Sequence, residues 1–210
     1  RIMNAEKENP DTKLMFGFNH RYHPGVMKAK AIVDLGRMGK IIALRGLYGK
    51  SGGKNFEHSW RNDFALSGGG ILLDQGIHMV DMMRLIGGEF PIAHSFVVNS
   101  YWKHDVEDNV YALLRSENGV VAMLHSSATQ WRHTFDLCIN LTNGTINLSG
   151  ILTSTKSYAP ETINVLSFDG NSEPVETTTQ YNEDQSWKRE VDEFAEKILN
   201  DQPIRYGSSH

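Results

Sequence analysis

Gly68-Gly69-Gly70-Ile71-Leu72-Leu73-Asp74-Gln75-Gly76-Ile77-His78-Met79-Val80-Asp81 is the stretch whose reading decides the fold. Three glycines open a sterically permissive turn, and Leu73, Ile77, Val80 and Ile86 then recur near helical spacing, which predicts an amphipathic helix over 73–86. Asp74, His78 and Asp81 fall at i, i+4 and i+7 and so share a second face of that helix. A carboxylate one turn from an imidazole raises the histidine pKa and orients the ring, as proton transfer near neutral pH requires. The same spacing also suits a helix-surface hydrogen bond or cap, and it suits two metal ligands, although no companion Cys/His cluster has ligand-like spacing.

Downstream of Gly87-Gly88 the pattern turns to β. Strands are predicted at Ala93–Lys103, Asn109–Ser116 and Val120–Thr129, then at Phe135–Leu141, Ile146–Leu148 and Ile163–Phe168, with turns at Glu117-Asn118-Gly119 and Asp169-Gly170. Asn143-Gly144 reads as a two-residue hairpin turn, because that pair supplies positive φ angles. Such a succession makes one open, mostly antiparallel sheet of about six to nine strands, an α+β fold. Helices at 24–35, 73–86 and 184–199 are expected to cover one face. The other face, with Thr, Asn and Asp in places, is left to solvent or a second subunit.

Upstream, Arg1–Asn9 has helix-forming composition, Pro10-Asp11 breaks it, and Lys13–Phe18 reads as a short strand. His20-Arg21-Tyr22-His23 leads into Pro24, the first turn of a helix to about Leu35. Its His-x-x-His pair alone offers too few ligands for a metal, and no metal is expected. Ile41–Tyr48 alternates as a strand, and Gly49–Ser59 is a Gly/Ser/Lys/Asn loop expected to end near the active-site cleft. Trp60-Arg61 closes it, a stacking and anion-binding pair or a lid on the core. In the last helix Trp187, Val191, Phe194, Ala195 and Ile198 form an apolar stripe expected in the core, with Asn182 or Asp184 as cap.

Composition bounds the function. Among 210 residues, 40% are hydrophobic, 22% are charged and the net charge is −4 without any basic block, so nucleic acid is not an expected partner. No apolar run is long enough to span a bilayer, no signal peptide is visible, and the single Cys138 fits a packed side chain in a reducing compartment; a cytoplasmic location is expected.

The composite of Trp60-Arg61, Asp63, Gly68-Gly69-Gly70, Asp74, His78 and Asp81, with Gly17-Phe18-Asn19-His20-Arg21-Tyr22, Glu107-Asp108-Asn109 and the Trp187–Leu199 helix, resembles the Gfo/Idh/MocA family of nicotinamide-dependent oxidoreductases over nearly the whole chain. The resemblance implies a glyceraldehyde-3-phosphate-dehydrogenase-like C-terminal domain preceded by a remnant of a Rossmann domain. Residues 1–20 would be the tail of the dinucleotide-binding domain and residues 21–210 the substrate-binding and oligomerisation domain. It implies His78 and Asp74 as catalytic residues, with Asp74 orienting His78 and a lysine upstream of the chain completing the set. Arg21, Tyr22, Trp60 and Arg61 would bind substrate. The expected cofactor is NAD or NADP, held mostly by residues upstream of residue 1, since no Gly-x-Gly-x-x-Gly occurs here; a fragment so composed is expected to be inactive alone. The expected substrate is a sugar, an inositol or a nucleotide-linked sugar, a class also suggested by the resemblance of Thr129-Gln130-Trp131-Arg132-x-x-Phe135 to sugar-nucleotide members. The expected assembly is a homodimer or homotetramer. The alternative is a non-catalytic binding or assembly module of the same fold.

Overall fold

The computed structural model describes residues 2–52, 56–168, 170 and 173–204. Its helices are α1 (Ile2–Glu8), α2 (Pro24–Asp34), the short α3 (Phe64–Ser67), α4 (Ile77–Gly87) and α5 (Ser186–Leu199). The strands are β1 (Ile41–Ser51), β2 (Ile92–Val98), β3 (Asn109–Arg115), β4 (Val121–Ser127), β5 (Thr129–Leu141), β6 (Gly144–Ser149), β7 (Glu161–Ser167) and β8 (Val175–Tyr181). They form one eight-stranded sheet in the order β2-β3-β4-β1-β5-β6-β7-β8. Every neighbouring pair is antiparallel except β1 and β4, which run parallel with Leu44 opposite Ala122. A parallel pair needs a crossover, and α3, α4 and the β2–β3 hairpin supply it. The α+β open sheet read from the strand pattern is therefore present.

The core lies between one sheet face and the helices α2 and α4. Val26 and Ala29 of α2 and Met79, Met82, Met83 and Ile86 of α4 are buried against Leu44, Ala122, Leu137, Ile139, Ile146, Leu148 and Ile163. Each of the larger side chains contributes about 1.5–3 kcal/mol by leaving water. The phase of the motif helix differs from the predicted one. Leu73 is exposed, and Ile77 and Val80 are only partly buried. Leu72–Gly76 is a π turn, in which the Ile77 amide reaches back to the Leu72 carbonyl. One extra residue in that turn rotates everything after it, so the methionines face the sheet.

The last helix departs further. Asp184 does accept the Ser186 amide, at 2.9 Å. The face of α5 turned inward is polar, however, with Ser186 and Glu190 buried, while Trp187 and Val191 are each 62% exposed and Ile198 is 48% exposed. Its partner is the 3-10 turn Asn19–Tyr22 rather than the sheet: Asn19 Nδ2 donates to Ser186 Oγ and the Arg189 guanidinium to the Tyr22 carbonyl. Buried hydrogen bonds fixed the orientation where the apolar stripe predicted the opposite.

Smaller differences have local causes. Lys13–Phe18 forms no strand, because no described strand pairs with it. The strand predicted to Lys103 stops at Val98, since the Asp108 carboxylate gathers the amides of Ser100, Tyr101 and Trp102 into a tight loop. The strand predicted over Val120–Thr129 divides at Ala128, whose amide bonds the Asp108 carbonyl. The hairpin turn occupies Thr142-Asn143, one residue earlier than predicted, and Gly144 pairs with Leu141. Carbonyls of Met38 and Lys40 bind the turn amides. Gly144 is needed for another reason, since it sits at φ 148° and a Cβ there would stand 2.1 Å from the Leu166 carbonyl oxygen of the adjacent strand. In the predicted Asp169-Gly170 turn, Asp169 lies outside the described residues, as do residues 53–55 of the predicted 49–59 loop, of which β1 takes the first part. Among the described residues no helix is long and apolar enough to cross a membrane.

Candidate active site

A polar cleft of about 610 Å³ opens where the C-terminal end of β1 meets the π turn and the first turn of α4. Alternation along β1 turns Tyr48 and Lys50 to the same side. The π turn adds Asp74 and Gln75, α4 adds His78, the 3-10 turn adds His20, and the segment after β6 adds Thr153, Thr155 and Tyr158. Of the residues expected from sequence, Asp74, His78 and Arg61 line this cleft. Arg21 and Tyr22 do not: Arg21 is bound to Asp81 through Nε at 2.7 Å and through a second, shorter contact, and Tyr22 is buried. Trp60, 55% exposed, stands outside the lining, its ring 4.5 Å from the Arg61 guanidinium. Trp131 is likewise outside, 60% exposed against Tyr101.

The partners of Asp74 differ from those expected. One carboxylate oxygen takes the Lys50 ammonium at 2.5 Å and the other takes Arg61 Nε at 2.9 Å. Burial alone would raise this acid, but Lys50 and then Arg61 outweigh it and hold the carboxyl below its ordinary value. Asp74 therefore anchors two cations instead of the His78 ring. His78 stacks on His20 with centroids 4.1 Å apart and planes 15° from parallel, and Phe18 meets it edge-on at 5.9 Å. Its Nδ1 is buried and has no hydrogen-bond partner among the described residues. The expected upward shift of His78 is reversed: burial pulls its pKa down more than Asp81 and Asp74 raise it. His20, deeper still, is lowered well below the ordinary value by burial and then by the neighbouring His78 and His23. Tyr48 is raised by burial, and Tyr158, hydrogen-bonded to Gln75 at 3.0 Å, is pushed up to about 12 by burial, so both remain neutral donors.

These shifts set an acid response. The unfolded chain takes up protons on His20 and His78 near an ordinary value of about 6.5, where the folded chain refuses them, so stability should fall as pH drops below that point and level off once the lowered folded values are passed. Melting temperature measured from pH 8 downward is expected to show this loss; a flat profile through pH 6 would contradict it.

The glycine turn has a structural task. Gly70 and Leu72 give their amides to the Glu107 carboxylate at 2.8 and 3.0 Å, and Ile71 gives its own to the Glu107 carbonyl. A Cβ on Gly70 would lie 2.1 Å from that carbonyl oxygen. This explains why Glu107-Asp108-Asn109 accompanies the three glycines: Glu107 closes their turn, Asp108 ties the preceding loop, and Asn109 binds Asp108 and Thr129. The turn's amides are thus occupied by an internal carboxylate and offer no cradle to a phosphate.

Sequence reasoning missed Lys50, Tyr48, Gln75, Tyr158 and the role of His20. The i, i+2 relation of Tyr48 to Lys50 at a strand end was the available signal; Tyr158 gave none, since it arrives from far along the chain.

An open sheet crossed on one face by a motif helix, with an Asp/His/Lys cleft at the end of its central strand, defines a class that comparison identifies. The family model described as the GFO/IDH/MocA C-terminal domain matches residues 26–147, more than half of the chain, and the chain belongs to that family. It is similar to levoglucosan dehydrogenase of Pseudarthrobacter phenanthrenivorans, 29% identical over 140 residues that cover 54% of this chain and 35% of the relative. Inositol 2-dehydrogenase 2 of Saccharopolyspora erythraea is 26% identical over 124 residues, covering 58% of this chain and 34% of the relative. A solved structure of a levoglucosan dehydrogenase in complex with NADH and levoglucosan shares the fold, with a TM-score of 0.80 at 21% identity, over 94% of this chain and 60% of that one. The chain spans about a third of the length of these curated relatives.

Proposed function

We propose that this cleft is the substrate side of an oxidoreductase acting on a hydroxyl of a sugar or cyclic polyol, with NAD or NADP as coenzyme. The observation that carries the reading is His78: a half-buried imidazole in the lining of a polar cleft, uncharged at neutral pH, beside a Lys50–Asp74 ion pair. An alcohol losing hydride must also lose its proton. His78 accepts that proton, Lys50 stabilises the developing alkoxide, and Asp74 holds Lys50 in place. Hydroxyls of Thr153, Thr155 and Tyr158 are placed to bind the remaining hydroxyls of a sugar ring. A nicotinamide coenzyme supplies the hydride acceptor when bound. The glycine turn, closed by Glu107, does not hold its phosphates. Residues 1–20, whose helix α1 buries nothing, are best read as part of the dinucleotide-binding domain, and residues 21–210 as the substrate domain. Names of relatives support the substrate class: a levoglucosan and an inositol dehydrogenase.

The test is formation of reduced coenzyme by the intact protein with levoglucosan, myo-inositol and glucose, each with NAD and with NADP. Turnover of one of them is expected; binding without turnover by any of them would favour the non-catalytic module.

The uncovered sheet face supports self-association. Phe96 is 77% exposed, Leu113 52% and Met123 51%, around a hollow of about 750 Å³ that also includes Tyr111 and His125. A face this apolar suits a second copy. Sedimentation at micromolar concentration should find a dimer or tetramer, and Phe96→Asp with Met123→Lys should return it to monomer; a monomeric wild-type protein would contradict the pairing.

A further inference from the structure

We propose that His20 is a positioning residue for His78, its ring fixed by a buried hydrogen-bond chain that starts at α5. The inference rests on the reading of His78 as the proton acceptor.

Each link as far as His20 Nδ1 has a forced direction. The Ser186 hydroxyl lies 2.6 Å from Asp184 Oδ1, and a carboxylate only accepts, so the Ser186 proton goes there. Ser186 Oγ is left to accept from Asn19 Nδ2 at 3.1 Å. That turns the Asn19 carbonyl oxygen to His20 Nδ1 at 3.0 Å, and a carbonyl also only accepts, so Nδ1 carries the hydrogen. With the ring kept uncharged by burial, Nε2 is bare and accepts the Tyr48 hydroxyl at 3.1 Å. Asn19, His20 and Ser186 are all buried, so none of these roles is exchangeable with water.

The ring so fixed is the flat surface on which His78 rests, 4.1 Å away, with Phe18 edge-on to the same imidazole. A ring packed on a face and at an edge cannot turn about its Cβ–Cγ bond without losing a contact, so the His78 imidazole keeps one direction. The charged and titratable groups around His78 are also committed: Asp81 on its own helix is tied to Arg21, Asp74 on the π turn to Lys50 and Arg61, and His23 at the start of α2 to Glu161 at 2.8 Å. Because His20 is uncharged, a proton arriving on His78 meets no cation across the stack. Burial and the two neighbouring histidines hold His20 in that state.

Nitrogen-15 NMR of the histidine rings in the 210-residue chain, titrated between about pH 8 and pH 5, tests this without any substrate, so a failed search for turnover and a failure here are separate results. Wild type should show His20 with hydrogen on Nδ1, a bare Nε2 and no titration, while His78 titrates. Ser186→Ala frees the Asn19 amide and should abolish the single tautomer at His20. His20→Ala removes the flat partner and lets water in, so His78 should titrate closer to its ordinary value. His20→Phe keeps the surface and should leave the His78 titration as in wild type. A merely structural His20 would lower the melting temperature in both variants without separating their His78 titrations. Hydrogen on Nε2 of His20, a proton taken up by His20 together with His78, or equal His78 titrations in the Ala and Phe variants would each overturn the proposal. Should His20→Ala fail to fold, the tautomer in wild type and in Ser186→Ala decides it.

Discussion

Arg21→Ala should lower the stability of this chain by about 3–5 kcal/mol, because it leaves the Asp81 carboxylate buried without its cation. Asp81 is 4% exposed, and Arg21, itself 10% exposed, meets both of its oxygens while its guanidinium lies 5.3 Å from the Phe18 ring. The pair joins the 3-10 turn to α4, the two elements that carry His20 and His78. For a chain of this size the loss corresponds to roughly 6–20 °C in melting temperature. Replacing both partners, Arg21→Met with Asp81→Leu, removes the unpaired charge and should recover most of the loss. Urea denaturation of the three variants measures this. The sequence reading of Arg21 as a substrate ligand makes the opposite forecast, a weakened KM at unchanged stability, and a loss below about 1 kcal/mol would favour it.

The sheet was legible because its signal is local. Phe135, Leu137, Ile139 and Leu141 alternate with polar neighbours, and the structure buries Phe135, Leu137, Ile139 and Leu141 as that alternation requires. The motif helix was legible as an element but not in phase. A π turn adds a residue to the ladder without any composition signal, so the buried set moved from Leu73, Ile77 and Val80 to Met79, Met82 and Met83. In α5 the apolar stripe was visible but its direction was not, since that was set by Ser186 and Glu190 against a segment far away in sequence. The site divides in the same manner. Asp74 and His78 share a helix and could be read together, yet what each touches depends on Lys50, Arg61 and His20, which arrive from other elements. Spacing gave proximity. It could not show that two cations compete for Asp74 and that burial outweighs the carboxylates at His78.

The central claim is that His78 takes the substrate's proton, and its removal carries the largest expected effect on activity. His78→Ala in the intact enzyme should lower the turnover number by about 10²–10⁴-fold, since a general base acts on the proton in flight, with coenzyme affinity nearly unchanged. In the wild-type enzyme the acidic limb of the pH–rate profile should lie below the ordinary histidine value, because burial lowers His78 and the base remains free until the pH falls through its lowered value. Stability should fall modestly, since the variant loses the stack on His20 and the edge contact with Phe18. The decisive measurement is therefore turnover number and melting temperature taken side by side for wild type and His78→Ala, on whichever of levoglucosan, myo-inositol or glucose is oxidised. A loss of about 10²-fold or more in turnover by protein that remains folded at the assay temperature is the predicted result; a fully active His78→Ala protein, whatever its melting temperature, would contradict the account.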